Sequence, residues 1–242
     1  MPAFLHVQLE APGQALPALR DLYTVALGLE PLDGTTGGVG FRVGETELQL
    51  GPGGDAFYHL ALLVPGDRFA AARDWAAERV ELLPDPDSDE VVFDFSFWKA
   101  LACYFEDPAG NIVELIAHAG IGESGRSGAF APEELLGVSE LGLVGGLRAM
   151  ADGLRGLGLD VWDGSVEAGR LAFVGERART LILAPPGRGW LPTGRPAEVH
   201  PVDVTLAGPP AGEVVLEGGA YRVRRVAGAA LATDSTALTM PS

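Results

Sequence analysis

Apolar and polar positions alternate over FLHVQLEA, Phe4 to Ala11, and then change period: in LPALRDLYTVALG, Leu16 to Gly28, the apolar residues fall at helical spacing, with Pro17 near the start and Gly28 at the end. A strand is therefore expected to hand over to a helix. Short strand segments follow around Glu30 to Leu32, Val39 to Val43 and Glu47 to Leu50, separated by glycine-rich turns at Asp33-Gly34, Gly37-Gly38 and Gly51 to Gly54. The phrase is βαβββ. It repeats: YHLALLV, Tyr58 to Val64, predicts a strand, DRFAAARDWAAERV, Asp67 to Val80, predicts a helix capped by Asp67, and further strands end at Ile116. A small, polar stretch, Gly120 to Ala129, then separates two halves. The second half starts the same way, with a strand over Val138 to Val144, a helix over Gly146 to Gly158, and strands near Leu159 to Trp162, Arg170 to Val174 and Thr180 to Ala184. Its last unit is reduced. Pro201 to Leu206 and Tyr221 to Val226 read as first and last strands, but the intervening GPPAGEVVLEGG is too short for a full helix.

The expected organisation is a first domain over 1–119, built from modules 3–51 and 57–118, a linker over 120–134, a second domain over 135–226 and a tail over 227–242. Composition agrees with a packed α+β protein, since 47% of the 242 residues are hydrophobic. Charge narrows the partners. A net charge of −16 and a pI near 4.5 argue against nucleic acid or an anionic membrane surface, and make a neutral or cationic small molecule the easier partner. The single cysteine, Cys103, has no internal disulfide partner and reads as a small buried hydrophobe. No apolar run approaches the roughly 20 residues of a membrane span, so a soluble, cytoplasmic protein is expected.

Chemistry concentrates in YFEDPAGNIVELIAH, Tyr104 to His118. Asp107 to Asn111 predicts a tight turn, with φ fixed at Pro108 and positive φ tolerated at Gly110 and Asn111. The strand after it carries one carboxylate, Glu114, among Ile112, Val113, Leu115 and Ile116, where an ionised group needs a cation, a metal or a proton. Arg42 is one available cation. Of the four histidines, His6 and His59 hold equivalent places in the first strands of the two N-terminal repeats, and Gln49 holds the position matching Glu114, with Glu47 two residues earlier on the same face. His6, Gln49, His59 and Glu114 are thus expected to converge on a divalent ion, for which Fe, Mn, Ni, Co and Zn all suit such donors.

On the segments LHVQLEA, YHLALLV and YFEDPAGNIVELI the chain resembles the vicinal oxygen chelate superfamily, which includes glyoxalase I, bleomycin-resistance proteins and extradiol dioxygenases. The resemblance implies tandem βαβββ modules forming cupped mixed sheets, arranged as two glyoxalase-like domains. It implies His6, Gln49, His59 and Glu114 as metal ligands, with Tyr104 and Glu114 as catalytic groups. Tyr104, Phe95 and Trp98 are candidate substrate contacts. The likeness is strong over residues 3–118 and faint over 135–226, where Ser139 to Leu143 lacks a histidine, Ile182 stands at the acidic position and the last strand carries Arg222, Arg224 and Arg225. The second domain therefore reads as degenerate, without its own metal site, and Trp190 is expected to close one end of a cup. The upstream histidine of extradiol dioxygenases is also missing: the window is Phe95-Ser96-Phe97. His118 is expected at the surface. Two functions stay open, a metal-dependent lyase, isomerase or dioxygenase acting on a small oxygenated molecule, and a metal-free, drug-sequestering protein. Four modules in one chain remove the need for a partner subunit, so a monomer or a homodimer is expected.

Overall fold

A computed structural model of the chain describes residues 3–35, 37–167 and 169–227. The first module comprises β1 (Phe4–Pro12), α1 (Leu16–Arg20, continued as a π-helical turn to Ala26), β2 (Glu30–Pro31), β3 (Val39–Val43) and β4 (Thr46–Gly53). The second comprises β5 (His59–Val64), α2 (Phe69–Ala77), β6 (Phe93–Phe95), β7 (Ala100–Glu106) and β8 (Ile112–His118). The third comprises β9 (Gly137–Val144), α3 (Leu147–Arg155), β10 (Val161–Gly164), β11 (Ala172–Glu176) and β12 (Arg179–Ala184). A two-stranded ribbon, β13 (Gly189–Trp190) with β14 (Arg195–Pro196), leads into the last unit, β15 (Val202–Ala207), β16 (Gly212–Leu216) and β17 (Tyr221–Val226). In every unit the first strand lies beside the last in parallel, and the middle strands continue antiparallel. Of the expected tail over 227–242, only Ala227 is among the described residues. Among those residues, no helix is long and apolar enough to cross a membrane.

The modules do not pair as the sequence halves suggested. The eight-stranded sheet runs β10-β11-β12-β9-β5-β8-β7-β6, so the second module joins the third. The seven-stranded sheet runs β16-β17-β15-β1-β4-β3-β2, so the first joins the fourth across the length of the chain. The physical reason lies in the first strands. Each has its own module's last strand on one side and a free edge on the other, and an exposed edge must be covered. The edge of β5 is met antiparallel by β9, its nearest successor in the chain, and β1 is left to β15.

Burial distinguishes the two sheets. β5, β8 and β9 are buried at every position, as strands covered on both faces must be. One face packs into the main core with α1, α2 and α3, and the other encloses a smaller cluster that includes Ala61, Ala102, Ile116 and Ile182. In β1, β4 and β15 buried residues alternate with partly exposed ones, so that sheet keeps one face open.

The Asp107 turn fixes β8 against β5. Asp107 accepts hydrogen bonds from the backbone N–H of Ala109 (2.9 Å) and Asn111 (3.0 Å), from the Tyr23 hydroxyl (2.9 Å) and from Asn111 Nδ2 (2.8 Å). Asn111 Oδ1 in turn accepts from the Tyr58 N–H at 2.9 Å, one residue before β5. Gly110 takes the positive φ of 78° that the turn requires. The expected cap by Asp67 is not formed: α2 begins two residues later, and Asp67 instead accepts the N–H groups of Ser124 (3.0 Å) and Gly125 (2.6 Å), tying down the segment between the modules.

Candidate metal centre

Glu114 sits at the middle of β8, with Ala61 of β5 beside it and Tyr104 of β7 directly opposite. Ala61 also faces Glu140 of β9 across the junction of the two modules. A methyl group at this position leaves the carboxylates on either side free to approach. His59, two residues before Ala61, points to the same face. One ligand atom each from His59, Glu114 and Glu140 lies within 4.8 Å of the others, and His59 Nε2 is 3.5 Å from Glu114 Oε2. All three are buried, at 5%, 2% and 3% exposure.

Burial dominates the electrostatics. It lowers the pKa of His59 to about 4, so the imidazole is neutral and its approach to Glu114 is not an ion pair. It raises Glu114 well above the ordinary carboxylate range, with the charge of Glu140 adding to the effect, and raises Glu140 to about 7. The Tyr104 phenol is likewise pushed well above its usual value, first by burial and then by Glu114 and Glu140. Glu114 Oε1 and His59 Nδ1 have no hydrogen-bond partner among the described residues. Asp107 shows the contrast: it is equally buried, but four hydrogen bonds occupy its oxygens. Among the described residues no cation pairs with these two buried carboxyl groups and the neutral imidazole, so their lone pairs lack a compensating charge. A divalent ion suits this set in charge and in donor type, imidazole nitrogen plus carboxylate oxygen. At the symmetry-related place on β12 stands Ile182, so the cluster among the described residues has three members that could hold an ion.

The trio forms the floor of a cavity of about 480 Å³. Its walls are aromatic. Trp98 packs edge-on against Phe173 (4.5 Å between centroids) and its indole N–H donates to Asp163 at 2.5 Å, so the turn after β6 closes onto the third module. Trp190 stacks on His59 (5.1 Å, 19°), entering over Gly142, where a Cβ would lie 2.8 Å from the indole. Phe97, 73% exposed, and Arg188, half-buried, border the opening.

The candidates from the sequence divide between the sheets. His59, Glu114, Tyr104, Phe95 and Trp98 all border this cavity. His6 and Gln49 do not: they lie on β1 and β4 of the other sheet, where Glu47 is beside His6 and Gln8 beside Gln49. The convergence of His6 and Gln49 with His59 and Glu114 is thus corrected, because the second module takes its partner strand from the third rather than from the first. Arg42 pairs with Glu47 at 2.6 Å and not with Glu114. His118, expected at the surface, is completely buried at the end of β8, on the same face as Glu114, and burial lowers its pKa to about 4. Cys103 is buried, and its thiol is pushed up to about 12, chiefly by desolvation. Glu140 escaped the sequence reading, which looked for a histidine in that strand. Its signal was the one that marks Glu114, a lone carboxylate in an apolar run, VSELGLV beside NIVELIA.

No family model matches the sequence, and a search of curated proteins finds no match. Solved structures do match. A candidate dioxygenase from Bacillus subtilis aligns over 92% of this chain and 84% of its own, at 15% identity and a TM-score of 0.57. Glyoxalase I from Zea mays aligns over 94% and 92%, at 14% identity and a TM-score of 0.53. The chain therefore shares the fold of these structures, the glyoxalase fold.

Proposed function

We propose that this chain is a metal-dependent enzyme of the vicinal oxygen chelate type, acting on a small organic molecule with neighbouring oxygen atoms by lyase, isomerase or dioxygenase chemistry. The observation that carries the reading is the buried, uncompensated trio His59, Glu114 and Glu140 at the floor of an otherwise apolar cavity. These three residues would hold the ion, which when bound would act as a Lewis acid toward two substrate oxygens. Tyr104 keeps its proton at neutral pH, so its role is to donate a hydrogen bond to a substrate oxygen rather than to act as a base. Trp98, Phe173 and Trp190 exclude water from the space above. The Phe95-Ser96-Phe97 window offers no imidazole for extradiol cleavage, which favours the lyase and isomerase branch.

Two buried acids beneath aromatic faces also favour a second reading, sequestration of an organic cation without metal. Elemental analysis of the protein purified without chelators separates the two. About one divalent ion per chain, lost in His59→Ala, supports the enzyme. No ion, together with thermal stabilisation by cationic drugs but not by Mn, Co, Ni or Zn salts, supports sequestration.

A further inference from the structure

His59 supplies the imidazole of the candidate metal centre, and the nitrogen that usually orients such a ligand has nothing to bond to. Nε2 is turned to Glu114 Oε2, 3.5 Å away, whereas Nδ1 is buried without a hydrogen-bond partner among the described residues. A histidine that binds metal through one nitrogen is ordinarily held in orientation by the other, which donates to a carboxylate, a carbonyl or water. An indole meets the His59 ring instead. Trp190 stacks on it with 5.1 Å between centroids and 19° between planes, and is itself only 5% exposed. Sequence and fold together put it there. Trp190 lies on the β13–β14 ribbon, which belongs to neither large sheet. The ribbon is closed by the N–H of Ala197 on the Arg188 carbonyl and the N–H of Gly187 on the Ala197 carbonyl, both at 2.8 Å, and by the N–H of Gly194 on the Trp190 carbonyl at 2.7 Å. Arg195 pins it to the second module: its guanidinium stands 3.4 Å over the Phe57 ring, and Nη1 donates to the Gly110 carbonyl at 3.0 Å. Gly142, on the face of β9 that carries Glu140, has no Cβ where one would lie 2.8 Å from the indole and 3.4 Å from the His59 carbonyl.

We infer that Trp190 is a positioning residue for the metal centre: its indole fixes the plane of the His59 imidazole and so keeps Nε2 directed at the ion, the task that a hydrogen bond at Nδ1 otherwise performs. The inference rests on the metal-enzyme reading for the ion, but the hold on the ring belongs to the metal-free protein. The outer torsion of a histidine side chain is broad, so packing decides where the ring comes to rest. A flat face beside it favours one plane and penalises rotation out of that plane by lost contact. The glycine at position 142 is the corollary on the neighbouring strand, since a side chain there would push the indole off the imidazole.

NMR of the full chain, isotope-labelled at histidine and stripped of metal with chelator, reads the ring directly, and His59→Ala assigns its signals among the four histidines. The indole should shield the His59 ring protons and move them upfield in wild type, an effect reduced in Trp190→Phe and largely lost in Trp190→Leu. Co(II) titration of the same proteins reads the consequence. Trp190→Leu should lower the affinity about 10–100-fold, the loss typical of groups that support a ligand, and alter the visible absorption that reports the ligand geometry of bound Co(II). Trp190→Phe, which keeps a flat face, should restore most of both. Arg195→Ala unpins the ribbon with the indole intact and should move both readouts the same way by less, so the test survives a Trp190→Leu chain that does not fold. A Trp190 that only fills space predicts lower stability in urea with unchanged Co(II) affinity and absorption in the folded variants. That result overturns the inference, as does a ring shift that Trp190→Leu and Arg195→Ala leave in place. Ring shielding in wild type without uptake of Co(II) by the trio sinks the metal reading and leaves the stack standing. Co(II) bound in wild type and lost in His59→Ala, but held equally by Trp190→Leu, keeps the metal reading and sinks the positioning role.

Discussion

The two sheets are built to one plan and carry opposite electrostatics. In the seven-stranded sheet the open face is a closed ledger of charges: Arg224 grips Asp203 through two bonds of 2.9 Å and Glu213 through a third, and Arg42 holds Glu47. These side chains are half-exposed, and water shares in their solvation. In the eight-stranded sheet the equivalent space is roofed by aromatic rings and holds two buried carboxyl groups that no cation pairs with among the described residues. Duplicated scaffolds therefore need not share a function. The candidate site lies where charge is buried and unmatched, whereas the exposed counterpart has its charges paired.

Exchanging these properties is the strongest way to break the contrast. Removing a ligand from the roofed sheet, by His59→Ala or Glu114→Ala, should weaken Co(II) or Mn(II) binding by more than about 100-fold, beyond the 10–100-fold typical of residues that only support ligands. His6→Ala and Gln49→Ala should leave it unchanged. A competition titration with a chelating dye reads this, and a loss in His6→Ala would place the site on the wrong sheet.

The second test is pH-linked. Glu140 has a usual carboxylate value of 4.5 that folding raises to about 7, so the metal-free folded state binds a proton that the unfolded chain has released. The favourable contribution is complete below pH 4.5 and is lost as pH rises through about 7, amounting to about 3 kcal/mol. Glu140→Gln should therefore stabilise the chelator-treated protein at pH 8.5 by up to that amount and do little at pH 4.5. Urea unfolding at the two values checks it, and a variant less stable than wild type at pH 8.5 contradicts it. Gly142→Ala is expected to act through Trp190, costing about 1–3 kcal/mol by overpacking and shifting the indole emission. The smallest effect belongs to the open face: Arg224→Ala should change stability by no more than about 1 kcal/mol, and that little should shrink in salt.

Much of this arrangement was legible in the chain, in proportion to how local its causes are. The strand, helix and three-strand phrase follows from apolar period and glycine turns, and the Asp107 turn from residues that satisfy their own backbone. Glu114 stood out because a carboxylate between Val113 and Leu115 has no solvent to turn to. Module pairing was not legible, because β5 and β1 expose equally suitable edges, and which strand covers each is decided by chain connection and packing across the whole molecule. The same uncertainty drew His6 and Gln49 toward a site that they do not reach. Glu140 was readable by the reasoning that found Glu114, but the search in that strand was for an imidazole. His118 was misjudged because it closes a strand whose last residues are still covered on both faces.

The central claim is a place: the ion sits between the second and third modules. A crystal soaked in Mn(II) or Co(II) and measured at the metal's absorption edge tests it most directly. The account predicts one anomalous peak at about 2.0–2.2 Å from a nitrogen of His59 and from oxygens of Glu114 and Glu140, and none on the open sheet. A peak beside His6 and Gln49, or no peak at the trio in protein that has taken up the metal, would contradict it.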